Sequence, residues 1–148
     1  MLLEDYSFKI LRASSPADFL FLRKLRNDVS QNMTNMTKSL SIWDQVKFYL
    51  NRPPNIEIYI VSVGGQRSGY LLLCDKGSSC FITEAVAENY RKKGLALALI
   101  NFAKTLRPVL IADILADNCA SRKLHEKAGF VEISQHNDII RYQYNANV

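Results

Sequence analysis

The stretch from residue 80 to 130 constrains this chain most. The strand-like CFITEAV runs into a basic turn, AENYRKKG, and then into the amphipathic LALALINFAKTLR; VLIADIL and NCASRKLHEKAGF then repeat the order of strand and helix. A strand, a helix and a second strand in that order form a crossover, which sets the two strands parallel. The turn places Arg91, Lys92, Lys93 and Gly94 directly before Leu95 and Ala96. Glycine removes the Cβ that would hold a ligand off the backbone, and the first N–H groups of a helix have no intrahelical partner. Those donors, the positive helix end and the adjacent cations suit a phosphate or pyrophosphate. The same residues also suit an ordinary solvated helix start. Neither GxxxxGK[ST] nor GxGxxG is completed, which sets Walker and dinucleotide loops aside.

Taken together, VAENYRKKGLA and NCASRKLHEKAGF resemble the GNAT superfamily of acyl-CoA-dependent N-acyltransferases. The cofactor motif of that superfamily, R/Q-x-x-G-x-G/A, falls on Arg91 to Ala96, with Ala96 where Gly is commoner. Its second motif falls on Asn118, Ser121, Leu124, His125, Lys127, Gly129 and Phe130. The match covers about a third of the chain, and the first half agrees only in its pattern of elements. The resemblance implies an α/β fold with a mixed, mostly antiparallel sheet of six or seven strands, about four flanking helices and a splayed parallel pair. It also implies acetyl-CoA as donor, a primary amine as acceptor and direct transfer with no covalent enzyme intermediate. In that fold the pantetheine arm lies where the strand at Cys80–Val86 diverges from the one at Val109–Leu115. Ala85 and Val86 would bond the arm through their backbone, and the pyrophosphate would rest on Arg91, Lys92, Lys93, Gly94, Leu95 and Ala96. Asn118 and Lys127 would add cofactor contacts from the last helix.

Transfer to an amine needs a base, because an alkylamine is mostly protonated at neutral pH, and it benefits from an acid for the departing thiolate. Asp113 stands where some members of the superfamily carry a catalytic Glu, and Glu84 ends the strand beside the gap and could act through water. For either carboxylate a solvated or salt-bridged role competes. His125 stands where many members have a Tyr that protonates the sulfur. An imidazole, with an ordinary pKa of about 6.5, can do that job or can simply pack. Tyr90 and Tyr142 take no role in this reading.

Composition bounds the rest. A chain of 148 residues, 48% hydrophobic and 22% charged, suits one soluble domain spanning residues 1–148. MLLEDYSFKI lacks the basic start and apolar block of a signal peptide and no apolar run is long enough for a membrane span, so a cytoplasmic location with no membrane partner is expected. Cys74, Cys80 and Cys119 show no CxxC spacing, which favours reduced thiols over a metal or disulfides. The net charge of +5 raises the question of nucleic acid. Many of the cations gather at Arg91, Lys92 and Lys93 and at Arg122, Lys123 and Lys127, with no interleaved aromatics for stacking, so no nucleic-acid partner is expected. A homodimer is suggested only by relatives that pair through exposed strands or helices.

In the first half, residues 7–12 alternate as a strand and Pro16 opens a helix carried by Phe19, Leu22, Leu25 and Arg26 to about Asn27. Residues 28–39 read as a polar loop, and Ser41 as the cap of a second helix over 42–50, stopped by Arg52-Pro53-Pro54. The resemblance puts the acceptor pocket here, with Arg26 and Asn27 as substrate contacts; a helix-end Arg and a capping Asn compete with that role. Leu25 to Asp28 with Met33 resembles, over a short stretch, acetyltransferases of nucleotide-linked amino sugars. Small amines, protein N-termini, polyamines and aminoglycosides stay open as acceptors, although Glu4, Asp5, Asp18, Asp28 and Asp44 are too few and scattered to argue for a polycation. Strands at 56–63, 68–74 and 80–86 form an antiparallel meander, a helix spans 93–106, and FVEIS with DIIRYQY closes as a hairpin. A catalytically silent acyl-CoA-binding domain is the alternative, since the Tyr is missing and Asp113 is short.

Overall fold

A computed structural model describes residues 7–29 and 53–148, so the helix expected over 42–50 and the loop beyond residue 29 lie outside the described residues. Strand β1 (Phe8–Arg12) leads to helix α1 (Pro16–Val29). The start of α1 is fixed reciprocally: Asp18 N–H donates to Ser15 Oγ at 3.2 Å, and Asp18 Oδ2 accepts from the Ser15 and Ser14 N–H groups at 3.2 and 3.0 Å. Pro16 occupies the first helical position, where its missing N–H has no consequence. The helix runs two residues past the expected end, because Asn27, Asp28 and Val29 include neither Gly nor Pro to interrupt it.

Strands β2 (Ile56–Val63), β3 (Gln66–Lys76) and β4 (Ser79–Val86) form the expected meander, joined by glycine turns. A 3-10 turn (Glu88–Tyr90), helix α2 (Leu95–Leu106) and strand β5 (Val109–Leu115) complete the crossover. Helix α3 (Cys119–Lys127) precedes the hairpin of β6 (Val131–His136) and β7 (Ile139–Asn145), whose turn holds Asn137 at φ 54°. The seven strands lie in the order β1-β2-β3-β4-β5-β7-β6. Every neighbouring pair is antiparallel except β4 and β5, which run parallel and pair only at Cys80↔Leu110 and Phe81↔Ile111.

The two sheet faces carry separate cores. Phe19, Leu22 and Leu25 of α1 pack on Ile58, Ile60 and Tyr70. On the other face Leu95, Leu99, Ile100 and Ala103 of α2 meet Leu71, Ile82, Leu110, Ala112 and Tyr142. Burial of each large side chain contributes about 1.5–3 kcal/mol, and the alternation along each strand decides which core it joins. At the end remote from the splay, Arg107 forks onto Asp75 at 2.9 and 3.0 Å and reaches Glu57 Oε1 at 3.1 Å, fastening the end of α2 to β2 and β3. No helix among the described residues is long and apolar enough to cross a membrane.

Candidate functional site

The parity of the β3–β4 ladder decides which peptide groups face the gap. The Ala87 N–H donates to Ser68 O at 2.8 Å, one step beyond the Gly69↔Val86 pair. Hydrogen-bonded pairs alternate in an antiparallel ladder, so Tyr70↔Ala85 is the next such pair and the peptide groups of Ala85 point at β3. Gly69 agrees: a Cβ there would lie 2.6 Å from Ala85 O. The peptide groups of Glu84 and Val86 therefore point towards β5, beyond the two rungs where β5 is paired. Of the two residues expected to offer backbone bonds, Val86 faces the gap and Ala85 does not; Glu84 takes its place.

The basic turn is bound to this edge. Arg91 Nε donates to Val86 O at 3.0 Å, and the Tyr90 N–H donates to Ala87 O at 2.8 Å. Lys92 at φ 61° and Gly94 at φ 84° both hold left-handed backbone. Gly94 caps α2, so the helix begins at Leu95, two residues later than expected; no side chain caps it, and its first bond is Ala98 N–H to Gly94 O at 3.0 Å. The N–H groups of Leu95, Ala96 and Leu97 consequently lack an intrahelical acceptor beside Arg91, Lys92 and Lys93. Lys93 Nζ lies 5.9 Å from the centre of the Tyr90 ring, which accounts for one of the two unassigned tyrosines.

Helix α3 delivers the imidazole. Asn118 Oδ1 accepts from the Ser121 N–H at 3.2 Å, capping the helix and leaving its amide nitrogen as the group able to meet the gap. Arg122 bonds Ala116 O at 3.0 Å and the Tyr142 hydroxyl at 3.2 Å, and that hydroxyl donates to Glu126 Oε1 at 3.0 Å. Tyr142 thus pins α3 against β7. The signal was present in the sequence as two charged residues one helical turn apart, but their partner strand was not. Lys127 is exposed in the last turn, at the opposite end of α3 from Asn118 and roughly 13 Å along the axis at 1.5 Å per residue.

His125 is 2% exposed, and its Nδ1 lies 2.8 Å from Ser121 O, a carbonyl that only accepts. That contact fixes the proton on Nδ1 and turns Nε2 to Glu84 Oε1, 3.2 Å away. Burial disfavours the charged imidazole, but the Glu84 carboxylate and the Ser121 carbonyl outweigh it, and the pKa rises above the ordinary value. The Phe130 ring lies 5.2 Å from the imidazole centre, edge to face. Glu84 and His125 form a buried ion pair at the splay, with Nε2 3.2 Å from Oε1 but not in line for a hydrogen bond.

Asp113 is held elsewhere. Ala112 and Ile114 belong to the core under α2, so Asp113 projects from the opposite sheet face, where Arg141 forks onto it at 2.8 and 2.9 Å. Arg141 also lies 5.0 Å over the Phe81 ring. On α1, Arg26 and Asn27 are partly buried. The Tyr70 phenol is held far above its ordinary pKa by burial, with Arg26 opposing and Glu84 reinforcing the rise. The site can hold an extended amide-bearing chain along Glu84 and Val86, an anion at the turn, and a proton between carboxylate and imidazole.

The profile of the Acetyltransferase (GNAT) family matches residues 22–130. Among curated proteins none matches the chain. Among solved structures, a domain from Methanocaldococcus jannaschii DSM 2661 superimposes with a TM-score of 0.84 at 15% identity, covering 95% of this chain and 99% of the other. The ribosomal-protein-alanine N-acetyltransferase from Brucella melitensis gives 0.74 at 25% identity, covering 93% and 99%. The spermidine N-acetyltransferase from Vibrio cholerae in complex with CoA and spermine gives 0.79 at 16% identity, covering 95% and 96%.

Proposed function

The chain belongs to the Acetyltransferase (GNAT) family, and from that premise we propose that it moves an acetyl group from acetyl-CoA to a primary amine in one direct step. The observation that carries this reading is the Glu84–His125 pair, buried where β4 leaves β5 and beside backbone groups turned into the gap.

The residues present fit acetyl-CoA. The edge of β4 offers the N–H and C=O of Glu84 and the N–H of Val86 to the amides of the pantetheine arm, Val86 O being held by Arg91, with Asn118 across the gap. The left-handed backbone at Lys92 and Gly94 and the uncapped start of α2 suit the pyrophosphate, and Arg91, Lys92 and Lys93 supply positive charge. Bound there, acetyl-CoA supplies a thioester whose C–S bond breaks as the C–N bond of the amide forms.

Two protons must then move: the attacking amine loses one and the departing sulfur gains one. Glu84 accepts the first and His125 Nε2 donates the second. The cycle leaves Glu84 protonated and His125 neutral, and the proton returns from Oε1 to Nε2 once the two groups, 3.2 Å apart, come into line. Because Nδ1–H stays on Ser121 O, Nε2 is the ring atom that exchanges protons. Burial of both groups keeps water from intercepting the exchange.

The test is calorimetric titration of acetyl-CoA into the wild type, Lys93→Glu and Gly94→Glu, followed by thiol release with a panel of amines. Micromolar binding lost in both variants, with thiol release on at least one amine, is the expected result. A folded wild type that does not bind acetyl-CoA overturns the reading. Binding without turnover on any amine leaves a silent acyl-CoA-binding domain.

A further inference from the structure

Arg23 and Arg26 stand three residues apart on α1, so they share a side of the helix with Cβ atoms about 5–6 Å apart. The Nε of each is buried and has no hydrogen-bond partner among the described residues. Buried N–H donors are nearly always paired in native proteins, so two such donors side by side call for an acceptor that the described residues do not supply. Phe19, Leu22 and Leu25 of α1 pack with Tyr70, and its register partner Ala85, the neighbour of Glu84 in β4, lies against the same core. α1 therefore lies beside the splayed end of β4, on the sheet face opposite the one to which Glu84 points with Ile82 and Val86. The carboxylates of α1 do not balance the two arginines: Asp18 is committed to the helix cap and to Arg67 at 2.9 Å, and Asp28 is exposed.

We propose that the acceptor is a primary amine whose far end carries an oxyanion, a carboxylate or a phosphate, seated on Arg26 and Arg23. This rests on the acetyltransferase reading and goes beyond it, because it selects among amines. Guanidinium groups pair with oxyanions through two parallel N–H bonds, and such a pair leaves the amine end free to enter the opening between β4 and β5 towards Glu84. A polycation would meet two like charges at this wall. The chain is thereby set apart in substrate from the Vibrio cholerae spermidine N-acetyltransferase whose fold it shares.

The experiment measures kcat/KM by thiol release for matched amines: phosphoethanolamine against ethanolamine, γ-aminobutyrate against butylamine, and spermidine as the polycation. Acetyl-CoA affinity, measured separately, reports on the cofactor site. The expected result is a preference of roughly tenfold or more for the anionic member of at least one pair. The pair that shows it says whether phosphate or carboxylate is read. Arg26→Gln should abolish the preference with acetyl-CoA affinity unchanged, and Arg26→Lys should keep part of it. Should Arg26→Gln fail to fold, Arg23→Gln and the wild-type preference decide. Turnover that favours the neutral amines or spermidine overturns this proposal alone. Failure to bind acetyl-CoA, or binding without turnover on any amine, overturns the acetyltransferase reading and this proposal with it.

Discussion

His125 Nε2 stands 3.2 Å from Glu84 Oε1, with the side chains 2% and 9% exposed. Folding raises the pKa of His125, so the folded protein holds this proton more tightly than the unfolded chain does. The stabilisation is complete below the unfolded value of about 6.5 and is lost as pH rises through the higher folded value. The wild type should therefore lose thermal stability relative to His125→Gln as pH climbs from slightly acid to alkaline. Tm measured across that range checks it, and parallel curves for the two proteins would count against the ion pair.

The two candidate carboxylates separate cleanly in kinetics. Glu84→Gln should lower kcat by roughly 100-fold or more, the usual effect of removing a group that transfers a proton. Asp113→Asn should leave kcat within about twofold and cost at most about 1 kcal/mol, because its partner Arg141 is 43% exposed and solvent weakens the pair. A larger kcat loss in Asp113→Asn than in Glu84→Gln would reverse the assignment.

Gly69 controls the edge of β4. A methyl group 2.6 Å from Ala85 O forces β3 and β4 apart, so Gly69→Ala should destabilise by about 1–3 kcal/mol and weaken acetyl-CoA binding several-fold. Denaturant unfolding and calorimetry on the same sample test both effects. Unchanged stability would show that the ladder yields more easily than its register implies.

Lys92 separates strain from charge. At φ 61° a residue with a Cβ is strained, so Lys92→Gly should raise stability by up to about 1 kcal/mol while weakening acetyl-CoA binding through the lost cation. Lys92→Ala keeps the strain and loses the same charge. Equal affinities in the two variants, with only Lys92→Gly more stable, are the expected pattern.

Thiol labelling reads the core directly. Burial and the nearby Asp75 carboxylate push the Cys80 thiol up to about 12, whereas Cys119 is exposed at the start of α3. An alkylating reagent should modify Cys119 within minutes and Cys80 only in denaturant. Rapid loss of the Cys80 thiol in the native protein would place that strand closer to solvent than Leu110 and Phe81 allow.

Much of the architecture was written locally. Alternation gave β1 and β2, turns gave β3 and β4, the crossover gave β5, Ser15-Pro16 gave the start of α1, and Arg91 to Ala96 followed by Asn118 to Phe130 carried the family likeness. These features need only neighbours within a few residues, because turn backbone, helix capping and amphipathic period are short-range properties. Three assignments were not local. Asp113 and Glu84 look alike along the chain, yet pairing with Arg141 and alternation along β5 put Asp113 on the face away from His125. Ala85 and Val86 differ only in ladder parity, which is set by Ser68 and Gly69 some seventeen residues earlier. Tyr142 belongs to neither motif, and only the docking of α3 on β7 brings it to Arg122 and Glu126. The sequence by itself determined the elements, their order and the basic turn before α2. Tertiary structure alone decided which carboxylate meets the imidazole, because strand register and helix docking join residues distant in the chain, and a one-residue step in register exchanges one sheet face for the other.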